Sequence, residues 1–212
     1  MKKIIAILTP MFLFVTVVAK AEVGVGVTGA FHSFDGSGTE TTRTSLQKNT
    51  GSHTHNVLVP ELFVEAISDS GLTIGMSYIP TRSMGSKSRS DTNSNGDTGT
   101  YTAKAELKNV AQIYADVPLG SYPVYVKLGV QHVTLATLES LNSGTTYPDA
   151  DLMGFTYGLG HKGDLPYGDN LYYKLEVTYT DFDSYSNSAS TGNTLAADFD
   201  DTAGKISIGY KF

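Results

Sequence analysis

Two short clusters in the sequence carry the side chains of a nucleophilic catalyst. His32 is followed directly by Ser33, while His132 is followed by Thr134 and then by Glu139. A histidine base, a hydroxyl nucleophile and an acid that orients the base are the parts of an acyl-transfer site. Sequence spacing does not establish the hydrogen bonds between them. We therefore predict no catalytic residue and keep an enzyme as an alternative.

Two other clusters carry metal-ligand side chains. His53-Thr54-His55 presents two imidazoles, and Asp198-Phe199-Asp200-Asp201 presents three carboxylates. Imidazoles suit transition metals, and carboxylates suit Ca²⁺. Neither cluster has a complete ligand set, and short motifs of this kind often arise by chance. We therefore predict solvated loop residues, with no dedicated metal site and no cofactor.

Composition excludes several classes of protein. The 212 residues include no Cys and carry a formal net charge of −6. The lack of Cys excludes disulfide scaffolds and cysteine nucleophiles, and the acidic balance argues against nucleic-acid binding. The hydrophobic content of 40% is too low for a helical membrane protein, yet too well patterned for disorder. An ordered chain of one domain, or at most two, remains.

The first residues have the pattern of an export signal. Lys2 and Lys3 precede a mostly apolar stretch, and Ala19-Lys20-Ala21 matches a signal-peptidase site. The apolar stretch is interrupted by Pro10 and is shorter than the roughly 20 residues that a membrane-spanning helix needs. We predict a signal peptide at residues 1–21 and one mature domain at residues 22–212.

Beyond residue 22 the hydrophobic pattern has the period of a β-strand. Apolar and polar residues alternate in eight segments that turn-forming residues separate. Long polar connections alternate with short turns, and the long ones are expected at residues 35–55, 84–100, 140–150 and 184–199. This asymmetry predicts an all-β fold, an eight-stranded antiparallel up-and-down transmembrane β-barrel with its long loops at one end.

Alternation alone does not say which face of the barrel contacts lipid, because a soluble barrel has the same period with an apolar interior. The polar face is rich in glycine, tyrosines such as Tyr78 and Tyr172 lie near strand ends, and Phe212 ends the last strand. These features favour apolar side chains that face lipid. A lysine on the lipid face costs about 2–4 kcal/mol, so Lys104 and Lys108 are predicted to face the interior.

The export signal, the eight alternating segments and the final residues 204–212 together resemble small Gram-negative outer-membrane β-barrels of the OmpX/OmpA transmembrane-domain type. The resemblance implies a barrel-only protein in the cell outer membrane, in contact with lipid and lipopolysaccharide. It also implies that the barrel-assembly machinery recognises the alternate residues of the last strand during insertion. Those residues are Ile206, Ile208, Tyr210 and Phe212. We expect a monomer that does not bind nucleic acid.

The interior of an eight-stranded barrel is just wide enough for side chains. Charges on the polar face are therefore expected to pair there, because an unpaired buried charge costs several kcal/mol. The predicted lumen network consists of Glu61, Glu65, Lys104, Glu106, Lys108, Lys127, Lys174, Glu176 and Lys205. It predicts a plugged lumen and a structural or surface-interaction role.

Two alternative functions stay open at this point. The first is a narrow channel for small solutes. The second is an outer-leaflet lipid-modifying enzyme of the lipid A acyltransferase or deacylase type, an activity that some barrels of the resembled group have. In this alternative, His32 or His132 would act at the rim of the barrel. The acidic residues 198–201 have an alternative interpretation as contacts for the divalent cations that bridge lipopolysaccharide phosphates.

Overall fold

The computed structural model describes residues 21–43, 46–92, 98–138, 146–166, 168, 170–189 and 191–212. The predicted signal peptide, apart from its last residue, lies outside the described residues, and so does Glu139. No helix in the described ranges is long and apolar enough to cross a membrane.

The described chain forms ten β-strands in one antiparallel sheet. They are β1 (Glu22–Thr41), β2 (Lys48–Ile67), β3 (Thr73–Ile79), β4 (Arg82–Thr92), β5 (Thr98–Pro118), β6 (Val124–Thr137), β7 (Ala150–Asp164), β8 (Leu171–Phe182), β9 (Tyr185–Ser188) and β10 (Thr194–Lys211). Both β3 and β4 pair with β5, and both β8 and β9 pair with β10, so each pair forms one wall strand. Because β1 pairs with β10 along its length, the sheet closes into the predicted eight-stranded barrel.

Apolar side chains form a band around the outside of the barrel. In β1, Val27 is 56% exposed, whereas the adjacent Thr28 is only 6% exposed. The same contrast repeats on every wall strand, and the outward apolar residues include Val25, Phe31, Leu62, Val64, Met76, Ile113, Val130, Phe155, Val177, Ile206 and Ile208. A polar interior within an apolar exterior is the arrangement of a membrane barrel. The predicted orientation is confirmed, although Tyr172 faces the interior rather than the membrane interface.

The long loops expected at residues 35–55, 84–100 and 184–199 are largely strand. Residues 35–41 of β1 pair with residues 48–54 of β2 and with residues 194–200 of β10. Serine and glycine in this region suggest loops, but threonine favours strands and buried apolar side chains hold the ladder together. These paired strands therefore extend beyond the apolar band at the end that we call the outer end, where the described β4 pairs with β5 alone and β9 with β10 alone. In the fourth region, the described residues 146–149 are irregular, and β7 begins at Ala150.

A β-bulge in β5 inverts the inside–outside alternation. The register against β6 shifts between Lys108 and Ala111, and Asn109 adopts a left-handed φ of 53°. Below the bulge Gln112 is buried in the interior, but above it Leu107 takes the inward position. Because neighbouring residues of a strand point to opposite faces, Lys108 lies on the outer surface. The prediction of a lumen-facing side chain is therefore wrong for Lys108, whereas Lys104 lies partly exposed near the outer end, where it pairs with Glu106 outside the charged compartment.

The interior of the outer half is apolar. The buried cluster includes Phe34, Val59, Ile79, Leu107, Val110, Val133, Leu135, Leu152, Phe182 and Tyr185. Charged side chains occupy the interior of the other half, towards the chain termini. The barrel is thus divided along its axis into a charged inner compartment and an apolar outer compartment.

Candidate functional site

Lys174 of β8 is the centre of the inner charge cluster. Its Nζ lies 2.7 Å from Asp116 Oδ2 and 2.9 Å from Glu65 Oε2. The second ammonium of the cluster, on Lys127, lies 2.8 Å from Asp116 Oδ1 and 3.0 Å from Glu176 Oε1. All five side chains are nearly inaccessible to solvent. Each charge therefore depends on its partners rather than on water.

Tyrosine hydroxyls complete the coordination of these carboxylates. Glu65 accepts hydrogen bonds from Tyr114 at 2.7 Å and from Tyr172 at 2.8 Å. Glu176 accepts one from Tyr125 at 2.7 Å. The Lys127 ammonium also lies 3.4 Å from the centre of the Tyr114 ring, in cation–π geometry. The aromatic rings thus bring hydrogen-bond donors into the lumen and fill the space between the charges.

Glycines on adjacent strands make room for the aromatic rings. Four inward rings each lie directly opposite a glycine in the ladder, in the pairs Phe63–Gly26, Tyr114–Gly75, Tyr125–Gly160 and Tyr172–Gly209. A Cβ atom at Gly160 would lie 2.2 Å from Cζ of Tyr125. Such glycine–aromatic pairing is a recognised stabilising device of curved sheets. It explains why the polar face is rich in glycine.

A second cluster surrounds His32 of β1, nearer the outer end. His32 Nδ1 lies 2.7 Å from Asp201 Oδ2, and Nε2 lies 3.1 Å from Glu61 Oε1. Lys205 donates to both oxygens of Glu61 at 3.0 Å. Carboxylates only accept hydrogen bonds, so both histidine contacts are hydrogen bonds only when the imidazole carries both protons. In that form His32 is the second cation of this cluster, after Lys205, and lies beside the two acids Glu61 and Asp201.

Arg82 of β4 lies where the charged and apolar compartments meet. It is 4% exposed, and its Cζ lies 4.7 Å from the centre of the Phe34 ring. None of its guanidinium nitrogens has a hydrogen-bond partner within the described chain. If His32 is counted as charged, the buried ionisable side chains of the described lumen balance as five cations and five carboxylates. They are His32, Arg82, Lys127, Lys174 and Lys205, and Glu61, Glu65, Asp116, Glu176 and Asp201.

Very little free space remains between the two clusters. The cavity bounded by Thr28, Glu61, Gln112, Lys174 and Lys205 has a volume of about 10 Å³. A site that holds one water molecule needs at least roughly 10–15 Å³. Neutral hydrogen bonds cross the remaining interior, including Gln112 Nε2 to Thr156 Oγ1 at 2.9 Å.

The structure brings together six of the nine residues predicted for the lumen network. These are Glu61, Glu65, Lys127, Lys174, Glu176 and Lys205. Lys104 pairs instead with Glu106 at 3.0 Å in a partly exposed position, and Lys108 makes no ion pair within the described chain. The β5 bulge separates these three residues from the others.

Four charged members of the two clusters were missed by sequence reasoning. They are His32, Arg82, Asp116 and Asp201. Asp116 could have been found, because it alternates with the outward residues Ile113 and Ala115 on the same polar face as Gln112. Asp201 shares its face with Lys205 in β10, but the region was interpreted as a loop.

The two catalytic candidates do not have the geometry of a nucleophilic site. His32 is enclosed by Asp201 and Glu61 in the lumen, away from the rim. His132 is exposed, with Nε2 3.9 Å from Asp151 Oδ1, and Thr134 donates its hydroxyl hydrogen bond to that same oxygen at 2.8 Å. The Thr134 hydroxyl is therefore hydrogen-bonded to Asp151, whereas a nucleophilic site requires it to be hydrogen-bonded to the histidine base. Glu139 lies outside the described residues.

Strand alternation divides the acidic motif, but it leaves the two imidazoles of the histidine motif on one face. In β10, Asp201 faces His32 in the lumen, whereas Asp198 faces outward and accepts a hydrogen bond from Ser184 at 2.6 Å. In β2, His53 and His55 share the inward face, while Thr54 points outward and donates to Asp35. The parts of the chain that the structure describes contain no group of three or more His, Cys, Asp or Glu side chains that could hold a metal ion.

An apolar cavity of about 270 Å³ opens at the outer end of the barrel. Its walls include the side chains Phe34, Met84, Leu135, Tyr185, Leu195 and Phe199. Its floor lies above the charged compartment, because Phe34 stacks on His32 with the ring centres 5.5 Å apart. The cavity is thus accessible from the outer end and closed below by the charge clusters.

The closed ladder and the apolar exterior define the chain as a transmembrane β-barrel of the outer-membrane type. Solved structures with a similar fold include OprG from Pseudomonas aeruginosa, at 15% identity and a TM-score of 0.49 over 91% of this chain and 97% of that one. The protease OmpT from Escherichia coli matches at 7% identity and a TM-score of 0.49, over 90% and 97%. Neisserial surface protein A matches at 13% identity and a TM-score of 0.37, over 87% and 99%.

The resemblance to outer-membrane barrels is confirmed at the level of fold. No protein-family model and no curated protein matches the sequence. The closed strand pairing of this chain shows the barrel by itself, and similarities of this size carry no activity from one protein to another. The function of this chain must therefore be argued from its own lumen and outer surface.

Proposed function

We propose that the protein is a closed, non-conducting barrel that contributes structure and an exposed surface to the outer membrane. The observation that carries this proposal is the filled inner compartment, where the remaining cavity of about 10 Å³ has no room for a solute. Burying each of these charged side chains without its partner would cost several kcal/mol. The network therefore supports a plug that stays in place.

The outward surface supports contact with lipopolysaccharide. Asp35, Asp200 and Asp181 are aligned across β1, β10 and β8 and point outward just beyond the apolar band. This is the level at which lipid phosphates and their bridging divalent cations meet the protein. We propose that these carboxylates associate with that cation layer rather than form a dedicated metal site. Residues 1–21 are proposed as the cleaved export signal.

A conductance measurement tests the closed lumen. The purified mature chain, inserted into a planar lipid bilayer, is expected to give no single-channel steps under conditions in which a general porin conducts. The lumen is occupied by side chains that bind one another. Steps that change in size when Lys127 is replaced by Gln would contradict the proposal and support the narrow channel.

A lipid analysis tests the absence of catalysis. Expression of the protein is expected to leave the mass spectrum of lipid A unchanged. His132 and Thr134 both contact Asp151 and do not form a base–nucleophile pair with each other. A new lipid A species that disappears in the His132→Ala variant would contradict the proposal and establish the lipid-modifying alternative.

The last strand is proposed as the signal for the barrel-assembly machinery. Phe212 is 75% exposed on the lipid side and packs edge-on against Tyr210, with the ring centres 4.9 Å apart. We expect Phe212→Ser to reduce the folded band on an unboiled gel to less than about half. Phe155→Ser is the matched control, since Phe155 is 53% exposed on the lipid side of β7. Equal losses in the two variants would show that the terminal position has no special role.

A further inference from the structure

The apolar outer cavity has no part in the proposed function of the closed barrel. Soluble surfaces rarely leave a concave apolar wall open to water, and such cavities usually mark binding sites. The wall is built from aromatic and aliphatic side chains of β1, β4, β6, β9 and β10, with Phe34 at the floor. These side chains are held by the surrounding buried cluster. The cavity is therefore preformed rather than dependent on a large rearrangement.

The volume limits the size of the occupant. An apolar cavity of about 150 Å³ accommodates benzene, which has six carbon atoms. By the same proportion, about 270 Å³ accommodates roughly ten non-hydrogen atoms. Because the compartment below is filled, the occupant enters and leaves through the outer opening. A molecule of this size fits as a bound ligand rather than as a solute in transit.

The charges around the cavity indicate the sign of the occupant. The described lining contains Lys87 and Lys104 but no Asp or Glu, although the whole chain has a net charge of −6. Lys104 is paired with Glu106. Lys87 is exposed and makes no ion pair within the described residues. The guanidinium of Arg82 lies against Phe34 at the floor, but the buried carboxylates of the lumen balance its charge, so Lys87 is the unpaired cation among the described residues at the cavity.

We propose that the outer cavity binds a small anionic amphiphile with a hydrocarbon body of about eight carbons and one carboxylate. The hydrocarbon body fills the space between Phe34, Leu135 and Phe199. The carboxylate stays at the opening beside Lys87, where it remains partly hydrated. In this arrangement the hydrocarbon body of the ligand contacts the apolar wall, and its carboxylate lies beside the oppositely charged ammonium of Lys87.

The protein has no tryptophan, so Phe199→Trp introduces a single fluorescent reporter into the cavity wall. The mature chain in lipid nanodiscs is titrated with octanoate, below the concentration at which octanoate forms micelles. A saturable change in tryptophan emission is expected. Calorimetry with the unsubstituted protein provides a second measurement that does not depend on the reporter. A linear fluorescence response without saturable heat would show that octanoate only partitions into the lipid of the nanodisc. That result would overturn the proposal.

Gly51→Leu tests where the ligand binds. Gly51 lines the cavity, and a Cβ atom there would meet no other atom within 4 Å, so the leucine fills the cavity without a backbone clash. We expect at least a tenfold loss of octanoate affinity. The matched control is Gly204→Leu, which also meets no atom within 4 Å but lies on the lipid face. Unchanged affinity in the Gly51 variant would overturn the location.

Lys87→Glu tests the sign of the ligand. Octanoate affinity is expected to fall about tenfold, whereas affinity for 1-octanol, which has the same chain without the charge, is expected to change less than twofold. If 1-octanol binds the unsubstituted protein as tightly as octanoate does, the anionic class is wrong. Heat-modifiable migration on gels checks that each variant is folded.

Discussion

Replacement of Lys174 by Met is expected to lower the free energy of unfolding by about 3–5 kcal/mol, because it leaves buried carboxylates without their shared cation. Lys174 is 1% exposed, and three acids lie within 4 Å of its ammonium: Asp116, Glu65 and Glu176. Methionine fills a similar volume, so the loss reports charge rather than packing. Urea unfolding in detergent micelles, followed by the folded band on gels, measures the change.

A surface lysine provides the control. Lys211→Met removes a pair with Asp164 at 3.0 Å, but the Asp164 side chain is 73% exposed. An exposed pair of this kind contributes about 0–1 kcal/mol. The double variant Lys174→Met with Glu65→Gln is expected to recover part of the lost stability, because it removes one of the stranded charges. Equal unfolding midpoints for Lys174→Met and Lys211→Met would refute the account of the inner cluster.

Replacement of Gly160 by Ala is expected to destabilise the barrel by about 2–3 kcal/mol, an unusually large effect for one methyl group. The new Cβ would lie 2.2 Å from the Tyr125 ring, which must move away. That movement breaks the 2.7 Å hydrogen bond from Tyr125 to Glu176. Thermal unfolding followed by near-ultraviolet circular dichroism is a suitable measurement, because it reports the tyrosine environment directly.

Outward glycines serve as the comparison for this second prediction. A Cβ atom at Gly29 or at Gly204 would meet no atom within 4 Å. Alanine at either position is therefore expected to change stability by less than about 0.5 kcal/mol. If Gly160→Ala were as well tolerated as Gly29→Ala, the glycine–aromatic pairing would have no structural importance.

The fold could be predicted from the sequence because its determining signal is local. Alternation such as that of Ile206, Ile208 and Tyr210 directly gives the strand and its two faces. The outer extension was missed because serine, glycine and threonine resemble loop sequence until their cross-strand partners are known. Thr39 and Thr50, for example, are direct partners whose hydroxyl oxygens lie 3.0 Å apart. Such pairing is not visible in either segment alone.

The sequence predicts that the lumen contains a network of paired charges, but it identifies only some of the residues in that network. A single bulge at Asn109 moves Lys108 out and Leu107 in. Asparagine adopts the left-handed conformation found there more readily than most residues, but one asparagine in a strand does not by itself predict a bulge. Likewise, the ion pairs depend on register between strands far apart in sequence, as for His32 and Asp201. Periodicity therefore identifies which residues face inward within an undisturbed strand, whereas the partner of each charge requires three-dimensional structure.

The cluster around His32 spans the seam where the first and last strands meet. Glu61 comes from β2 and His32 from β1, whereas Asp201 and Lys205 come from β10. A chain whose final strand has not yet docked holds Glu61 without its lysine and His32 without its aspartate. Insertion of such an open intermediate into the hydrocarbon of the membrane therefore costs free energy, because these charges are unpaired. Docking of the last strand pairs the charges and removes this cost. The same residues that occupy the finished interior also favour the last step of its assembly.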